Sequence, residues 1–227
     1  MARSGFIHRQ LSGILVSATR VAAFVDLIEF ELFYDYLCPF VYRAAEMLDS
    51  VRESGGREVD VTWRYFSLSQ VNSKRESWTV WDAPESELVK GRLAFQAAEA
   101  ARRQEKFERL HMSLLRARHR DRLNIDDPNV VEEVAASAGL DVDRLRRDIA
   151  DPTILQGLAR DHETARSQHG VFGTPTFLFR DGSAAYVRLG PEPLNGDAVR
   201  ILDEIIAIAA REPAILEIKR PVPPTAG

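Results

Sequence analysis

Apolar residues dominate residues 24–34, and the apolar spacing then changes from that of a strand to that of a helix. The first segment, FVDLIEFELFY, is rich in aromatic and β-branched side chains, which is typical of a largely buried strand. Beyond it, apolar residues recur at helical spacing over positions 41–51, and Gly55-Gly56 ends the run. Pro39 suits the first helical turn, because a helix leaves that backbone N–H unpaired in any case. The pattern therefore predicts a strand that leads directly into a helix.

The same patterns predict three further strands and a final helix. Residues 59–66 alternate apolar and polar positions, which predicts a strand parallel to the first in a right-handed βαβ unit. Much later, an apolar strand over residues 176–179 is followed by an Asp-Gly turn and a return strand over residues 185–189. A broad apolar face predicts a last helix that begins at Asn195 and packs on the sheet.

The chain's only cysteine, Cys38, lies where the first strand turns into the first helix. Unpaired amides and the positive end of the helix dipole stabilise a thiolate at such a position. A lone cysteine is nevertheless more often a small buried apolar residue. Far along the chain, Thr174-Pro175 stands directly before an apolar strand, where a tight approach makes the X-Pro bond a candidate for the cis form. The two motifs together favour a nucleophilic cysteine.

From residue 85 to residue 170 the apolar pattern is helical throughout. Helix starts are predicted at Asp127, Asp141 and Asp151, because aspartate is a preferred capping residue. The segment is too long for a simple crossover, so we predict a helical insert that covers the active-site face and restricts access to Cys38. Its apolar stripe comprises Leu88, Phe95, Phe107, Leu110 and Leu114.

The motifs YDYLCPFVY and VFGTPTFLF, with helices inserted between them, resemble the DsbA family of thioredoxin-fold proteins. Within that family the chain is most similar to the FrnE-like and 2-hydroxychromene-2-carboxylate isomerase-like branch, over roughly residues 27–212. The resemblance implies an α/β, thioredoxin-like fold with a helical insertion. The implied organisation is an N-terminal extension (1–24), the first half of the thioredoxin fold (25–84), the helical insertion (85–168), the second half (169–212) and a C-terminal tail (213–227).

The resemblance also implies the roles of five residues. Cys38 is the expected catalytic nucleophile at the start of the first helix, and a cis-proline at Pro175 is expected to face it. Pro39 and Phe40 are expected to shape the approach of the substrate. The Thr174 backbone is expected to pair with the extended substrate segment that carries the attacked sulfur.

One departure from the family pattern limits the chemistry. The usual C-P-x-C is C-P-F-V here, with Val41 in the fourth position and no other cysteine in the chain. A two-cysteine redox cycle within one molecule is therefore excluded. The expected function is a thiol-disulfide oxidoreductase that uses Cys38 alone, with glutathione or another low-molecular-weight thiol resolving the mixed disulfide. Two alternatives stay open: an isomerase or transferase that uses a bound thiol, and a redox-inactive binding module.

Composition and charge limit the classes of molecule that this chain is expected to bind. A net charge of −4 argues against nucleic acid and anionic membranes, and no apolar run is long enough for a transmembrane helix. A single cysteine fits a reducing compartment, so we predict a cytoplasmic protein. The predicted partners are a disulfide or thiol-conjugate substrate and a small thiol, with a homodimer as the oligomer to consider. No tightly bound cofactor is expected.

The histidines offer no convergent metal-ligand set, so no metal is predicted. His111 and His119 could share one helix face, and His162 and His169 another, and solvated positions are expected for them. His169 could instead approach the active site, because it directly precedes the loop that leads to the proline motif.

Asp35 and two tryptophans each admit two interpretations. Asp35 either bonds the following backbone amides, which we slightly favour, or acts as a proton acceptor that tunes the cysteine thiol. Residues 67–84 carry Trp78 and Trp81 and are predicted to form a loop. The tryptophans either line a substrate groove near Cys38 or, as we favour, cap the core.

Residues 1–24 show a faint outline of a signal peptide, since Arg3 and Arg9 precede an apolar run over residues 11–18. That run is short, contains serine and glycine, and is followed by Arg20. We therefore favour an N-terminal extension over an export signal, with a misassigned start codon as a further alternative.

Overall fold

The computed structural model describes residues 27–190 and 196–220 and places four strands and eight helices there. The strands are β1 (Ile28–Tyr34), β2 (Val59–Tyr65), β3 (Thr176–Phe179) and β4 (Ala184–Tyr186). The helices are α1 (Pro39–Ser54), α2 (Leu68–Val71), α3 (Arg92–Arg102), α4 (Phe107–His119), α5 (Pro128–Ser137), α6 (Val142–Ile149), α7 (Pro152–His169) and α8 (Ala198–Arg211). The predicted extension over residues 1–24 and the predicted helix start at Asn195 lie outside the described residues. None of the described helices combines the length and apolar character that crossing a membrane requires.

The four strands form one sheet in the order β2-β1-β3-β4. β1 and β2 are parallel, as predicted, and α1 connects them, whereas β3 runs antiparallel to both of its neighbours, β1 and β4. Phe33, near the end of β1, is paired with Thr176, the first residue of β3. This register brings the segment that follows β1 close to the segment that precedes β3, although more than 130 residues separate them in the chain.

The two faces of the sheet bury different parts of the chain. Phe30, Leu32 and Tyr34 point into the main core, which contains α1, the inserted helices and α8. Phe33 points the other way and packs with Leu178 and with residues of and around α7 in a smaller cluster. This alternation follows from the period of two along a strand. It explains why β1 is apolar at almost every position near its end.

The ends of the helices follow the predicted capping chemistry. Pro39 occupies the first turn of α1, and Gly55 ends that helix with a left-handed φ of 64°, which glycine adopts without steric cost. Asp127, Asp141 and Asp151 each accept a hydrogen bond from a backbone N–H of the helix that they precede. The three predicted helix starts are therefore confirmed.

The prediction that residues 85–170 are helical throughout is wrong at its beginning. The first helix of the insert starts only at Arg92, because Gly91 adopts a left-handed φ of 79° and donates its N–H to the Asp126 carboxylate at 2.6 Å. Leu88 lies before this break and is 73% exposed, so it does not belong to the buried stripe. The other four predicted members of that stripe are buried.

Arg92 is a buried arginine that organises the loop between α2 and α3. The residue is 8% exposed, and its guanidinium donates hydrogen bonds to four backbone carbonyls of that loop. Trp78 and Trp81 pack against a small apolar cluster of the same loop, in line with the capping interpretation. The carbonyls belong to Val80, Ala83, Pro84 and Glu87.

We predict that Arg92→Met destabilises the protein by about 2 kcal/mol, because buried carbonyls that lose a charged donor are left without a partner. Urea denaturation followed by circular dichroism measures this difference. Arg160→Met is the matched control, since Arg160 is exposed on α7 and its substitution is expected to change stability by less than about 0.5 kcal/mol. Equal effects of the two substitutions would contradict the structural role of Arg92.

Candidate active site

Cys38 caps the N-terminus of α1, as predicted from the position of Pro39. Its backbone is extended, with φ −86° and ψ 114°, and its carbonyl accepts the N–H groups of Val41 and Tyr42. Its own N–H donates to the Asp35 carbonyl at 3.0 Å. The residue is buried, with 4% of its surface exposed. The sulfur therefore lies at the positive end of a helix and in a largely desolvated position.

The sulfur contacts the segment that the sequence singled out at the other end of the chain. The Cys38 thiol donates a hydrogen bond to the Thr174 carbonyl, with a sulfur–oxygen distance of 3.2 Å. The Thr174–Pro175 peptide bond is cis. The hydroxyl of Thr176 donates to the Gly173 carbonyl at 2.8 Å, which ties this loop to the start of β3. The structure thus brings Cys38, Thr174 and Pro175 to one place.

The first turn of α1 places its side chains on different sides of the sulfur. Pro39 is exposed and Phe40 is half-buried, so both are available at the surface around Cys38. Val41 is fully buried in the main core. The fourth position of the C-P-F-V motif therefore carries an apolar side chain that cannot resolve a mixed disulfide.

Asp35 is a buried carboxylate that organises the turn before Cys38. One carboxylate oxygen accepts the Leu37 N–H at 2.7 Å, and the other accepts the Leu68 N–H at 2.6 Å. Burial raises the pKa of this carboxyl to about 6, and the two backbone hydrogen bonds oppose that rise. These contacts agree with the favoured interpretation of Asp35 as a residue that bonds nearby amides.

His162 binds the segment after β2, next to the amide that Asp35 binds there. Its Nδ1 accepts the N–H of Ser67, the residue directly before Leu68, at 3.0 Å. Burial lowers the pKa of the imidazole to about 4, with a smaller contribution from Arg166. Asp35 and His162 therefore bind two consecutive amides after β2. The expectation of a solvated His162 is wrong, because the ring lies in the protein between Phe66 and Trp81.

Two histidines of α4 contact Tyr36, which lies two residues before Cys38. The Tyr36 hydroxyl is hydrogen-bonded to Nδ1 of His111 at 2.9 Å, and His119 Nε2 donates to the Tyr36 carbonyl at 2.8 Å. The prediction of solvated positions is therefore wrong for His111, which is buried, and for His119, which is largely covered. Burial lowers the pKa of both imidazoles. Through these bonds the insert contacts the loop that carries the cysteine.

His169 does not join this arrangement. It lies near the Phe33 ring and lines a cleft of about 420 Å³ on the α7 face of the sheet. Glu29 and Glu31 also line this cleft, so it lies toward the beginning of β1, whereas Cys38 follows the end of that strand. Among the described residues, no three histidine, cysteine or acidic side chains are grouped as metal ligands would be.

The return strand and the segment just after it contribute two residues that the sequence analysis did not single out. The predicted strand over residues 185–189 is wrong in its extent, because β4 ends at Tyr186. The guanidinium carbon of Arg188 lies 4.1 Å from the centre of the Phe40 ring, and the Tyr186 ring packs 5.1 Å from the ring of Phe172. Gly173 lies so close to Tyr186 that a Cβ atom there would be 3.2 Å from its ring. The only signal for Tyr186 and Arg188 in the sequence was that they alternate along the predicted return strand, which directly follows the strand that Pro175 precedes.

Comparison with known proteins places this geometry in a family. Residues 29–194 match the model of the DSBA-like thioredoxin domain, and no curated protein matches the sequence. A probable DsbA oxidoreductase from Streptomyces coelicolor is similar in structure, with 18% identity, a TM-score of 0.58, and coverage of 86% of this chain and 92% of that one. The 2-hydroxychromene-2-carboxylate isomerase structure has 14% identity, a TM-score of 0.59, and coverage of 84% and 100%.

A third structure is the cytosolic disulfide reductase DsbM from Pseudomonas aeruginosa, solved with GSH. It has 17% identity to this chain and a TM-score of 0.54, with coverage of 79% of this chain and 99% of that one. At these identities the likeness concerns the fold. Together the comparisons confirm the predicted α/β, thioredoxin-like fold with a helical insertion, and they confirm the resemblance found in the sequence.

We predict that His162 makes the protein less stable in mild acid. Its pKa is about 4 in the folded protein and about 6.5 when unfolded, so below pH 6.5 the unfolded state binds more protons. Stability is therefore lost as the pH falls, by at most about 2 kcal/mol from His162 at pH 5. His162→Gln keeps an acceptor for Ser67 but does not titrate, so its stability loss between pH 7.5 and pH 5 should be smaller.

Urea midpoints at the two pH values measure this effect, and His169→Gln is the matched control on the same helix. The control should lose as much stability in acid as the unsubstituted protein. If His162→Gln also lost as much, the neutral buried state of His162 would not be the cause.

Proposed function

This chain belongs to the DSBA-like thioredoxin domain family, and on that premise we propose that it is a thiol-disulfide oxidoreductase with Cys38 as its single nucleophile. The observation that carries the proposal is the position of the Cys38 sulfur, at the start of α1 and 3.2 Å from the Thr174 carbonyl. A sulfur in this position has a helix N-terminus to stabilise its thiolate and an adjacent backbone to align a substrate.

In the first step the Cys38 thiol gives its proton to solvent, and the thiolate attacks one sulfur of a substrate disulfide. A bond forms between Cys38 Sγ and that sulfur, the substrate S–S bond breaks, and the other sulfur leaves as a thiolate with the electron pair. Thr174 offers its backbone for pairing with an extended substrate, and Pro39 and Phe40 border the approach. The product of this step is a mixed disulfide on Cys38.

An external thiol completes the reaction, because Val41 occupies the place of a resolving cysteine. The thiolate of a low-molecular-weight thiol attacks the mixed disulfide, forms a new disulfide with the substrate sulfur and releases Cys38 as a thiolate. Glutathione is the thiol that we favour, and the DsbM protein of P. aeruginosa was solved with GSH. We place the reaction in the cytoplasm, where such thiols are reduced.

A thiol-dependent isomerase or transferase is the second candidate. It is favoured by the buried Val41 in place of a second cysteine and by the structural similarity to 2-hydroxychromene-2-carboxylate isomerase. In this alternative a bound thiol such as glutathione supplies the reacting sulfur, and Cys38 only positions it. The two candidates differ in whether a covalent bond to Cys38 forms during turnover.

We predict that Cys38→Ser reduces glutathione-dependent reduction of hydroxyethyl disulfide to the uncatalysed rate, because a hydroxyl does not exchange with disulfides. Mass spectrometry of the unsubstituted protein with glutathione disulfide should show one glutathione added, and this addition should be absent from the variant. Cys38→Ala, with circular dichroism on both variants, checks that the fold is retained. Retained turnover in Cys38→Ser together with tight binding of reduced glutathione would reject this mechanism and favour the isomerase or transferase.

We predict that Val41→Cys creates a two-thiol redox centre. Residues three apart on a helix are neighbours, so the new thiol can form a disulfide with Cys38. Redox titration against dithiothreitol should then show a two-electron transition, and resolution should no longer require an external monothiol. Ala45→Cys is the matched control, because that buried position on α1 is about 10 Å further along the helix than Cys38 and too distant for a disulfide. A titration of Val41→Cys without a two-electron transition would contradict the prediction.

A further inference from the structure

The chain beyond β4 passes directly beside the proline loop at Cys38. The N–H of Val187 donates to the Pro175 carbonyl at 3.1 Å, which fixes this segment next to the loop. Val187 itself packs against the main core, so its neighbours Tyr186 and Arg188 point away from that core. Both neighbours are exposed. The segment therefore presents one aromatic and one cationic side chain at the edge of the site.

Arg188 lies over Phe40, the second residue of α1, at 4.1 Å from the ring centre. This stacking holds the guanidinium over a residue that follows Cys38 by two positions. The N–H groups of the guanidinium stay available to bind a substrate. No described carboxylate pairs with it, although many other arginines of the chain form such pairs. Arg188 is thus a positioned positive charge without a described partner of opposite sign.

Tyr186 and Phe172 form an exposed aromatic wall on the same rim. Their rings lie 5.1 Å apart, and Phe172 is 69% exposed. Burial raises the pKa of the Tyr186 phenol, Arg188 opposes this rise, and the Cys38 sulfur adds to it. Tyr186 therefore lies within electrostatic reach of both Arg188 and the sulfur.

We propose that Arg188 is a specificity-determining residue that binds a carboxylate carried by the thiol or disulfide substrate, while Phe172 and Tyr186 pack against the substrate's apolar part. A guanidinium recognises carboxylates through its fixed set of N–H donors. Aromatic rings, in contrast, pack against apolar groups of many different shapes. The inference rests on the proposed function of Cys38. It adds that the preferred substrates are anionic next to the reacting sulfur.

Two aromatic disulfides test the proposal. 5,5′-Dithiobis(2-nitrobenzoate) carries carboxylates, whereas 4,4′-dithiodipyridine is uncharged at pH 7.5. With either reagent, the Cys38 thiolate forms a mixed disulfide with one half of the reagent and displaces the other half. The carboxylated reagent releases the yellow nitrothiobenzoate anion, and the pyridine reagent releases a thiolate that takes up a proton from water to give 4-thiopyridone, which absorbs in the ultraviolet. Stopped-flow absorbance at the two wavelengths therefore gives both rates. We expect Arg188→Gln to lower the rate with the carboxylated reagent about threefold and to leave the rate with the neutral reagent unchanged. Arg188→Lys, which keeps the charge but lacks the fixed set of N–H donors, should retain only part of the preference.

Arg180→Gln is the matched control, because Arg180 lies in the turn between β3 and β4, beside Glu29 near the beginning of β1, and carries the same charge. It should change neither rate. Equal loss with both reagents in Arg188→Gln, equal loss with the carboxylated reagent in both glutamine variants, or no change at all would overturn the role of Arg188. If the unsubstituted protein reacted with neither reagent, the proposed function itself would fail, and the inference with it.

Discussion

The contact between the Cys38 sulfur and the Thr174 carbonyl depends on how β1 pairs with β3. Phe33 and Thr176 are partners in that register, so the residues just beyond each of them come together at the same end of the sheet. A shift by one residue would turn every side chain of β3 to the opposite face of the sheet. The apolar faces of both strands prevent such a shift, because Phe177 and Phe179 must stay in the main core. Core packing thereby determines the geometry of the candidate site.

The turn that carries the cysteine is held by buried polar groups from distant parts of the chain. Asp35 binds an amide that follows β2, and Tyr36 is bonded at its hydroxyl and at its carbonyl by the two histidines of α4. Hydrogen bonds in a desolvated interior are strong and costly to break, so such a network favours one conformation. The inserted helices thus help to hold the cysteine loop, in addition to the covering role that we expect for them.

The chemistry available to this site depends on the residues that lie on the core side and on the solvent side of the Cys38 sulfur. On the core side, Val41 closes off any internal resolving thiol. On the solvent side, Phe40, Arg188, Tyr186 and Phe172 make a rim that is aromatic and positively charged. A single-cysteine reaction must receive its second thiol from outside, so the rim decides which molecules approach. In the proposed mechanism, reactivity therefore depends on α1 and selectivity depends on the segment after β4.

Local patterns in the sequence were sufficient for the strands, for α1, for most of the inserted helices and for the two motifs of the candidate site. They missed the short helix α2, which lies in the predicted loop, and the break before α3 at Gly91. Strand and helix periodicity, the helix-starting proline and the capping aspartates depend on neighbouring residues, so the start of α1 at Pro39 and the caps of α5, α6 and α7 could be predicted. The resemblance then linked Cys38 to Thr174-Pro175. The tertiary structure alone decided the partners of His111, His119 and His162, the burial of Arg92 and the placement of Arg188 over Phe40. A polar side chain has no periodic signal that reveals its distant partner, because that partner is selected by how the elements pack.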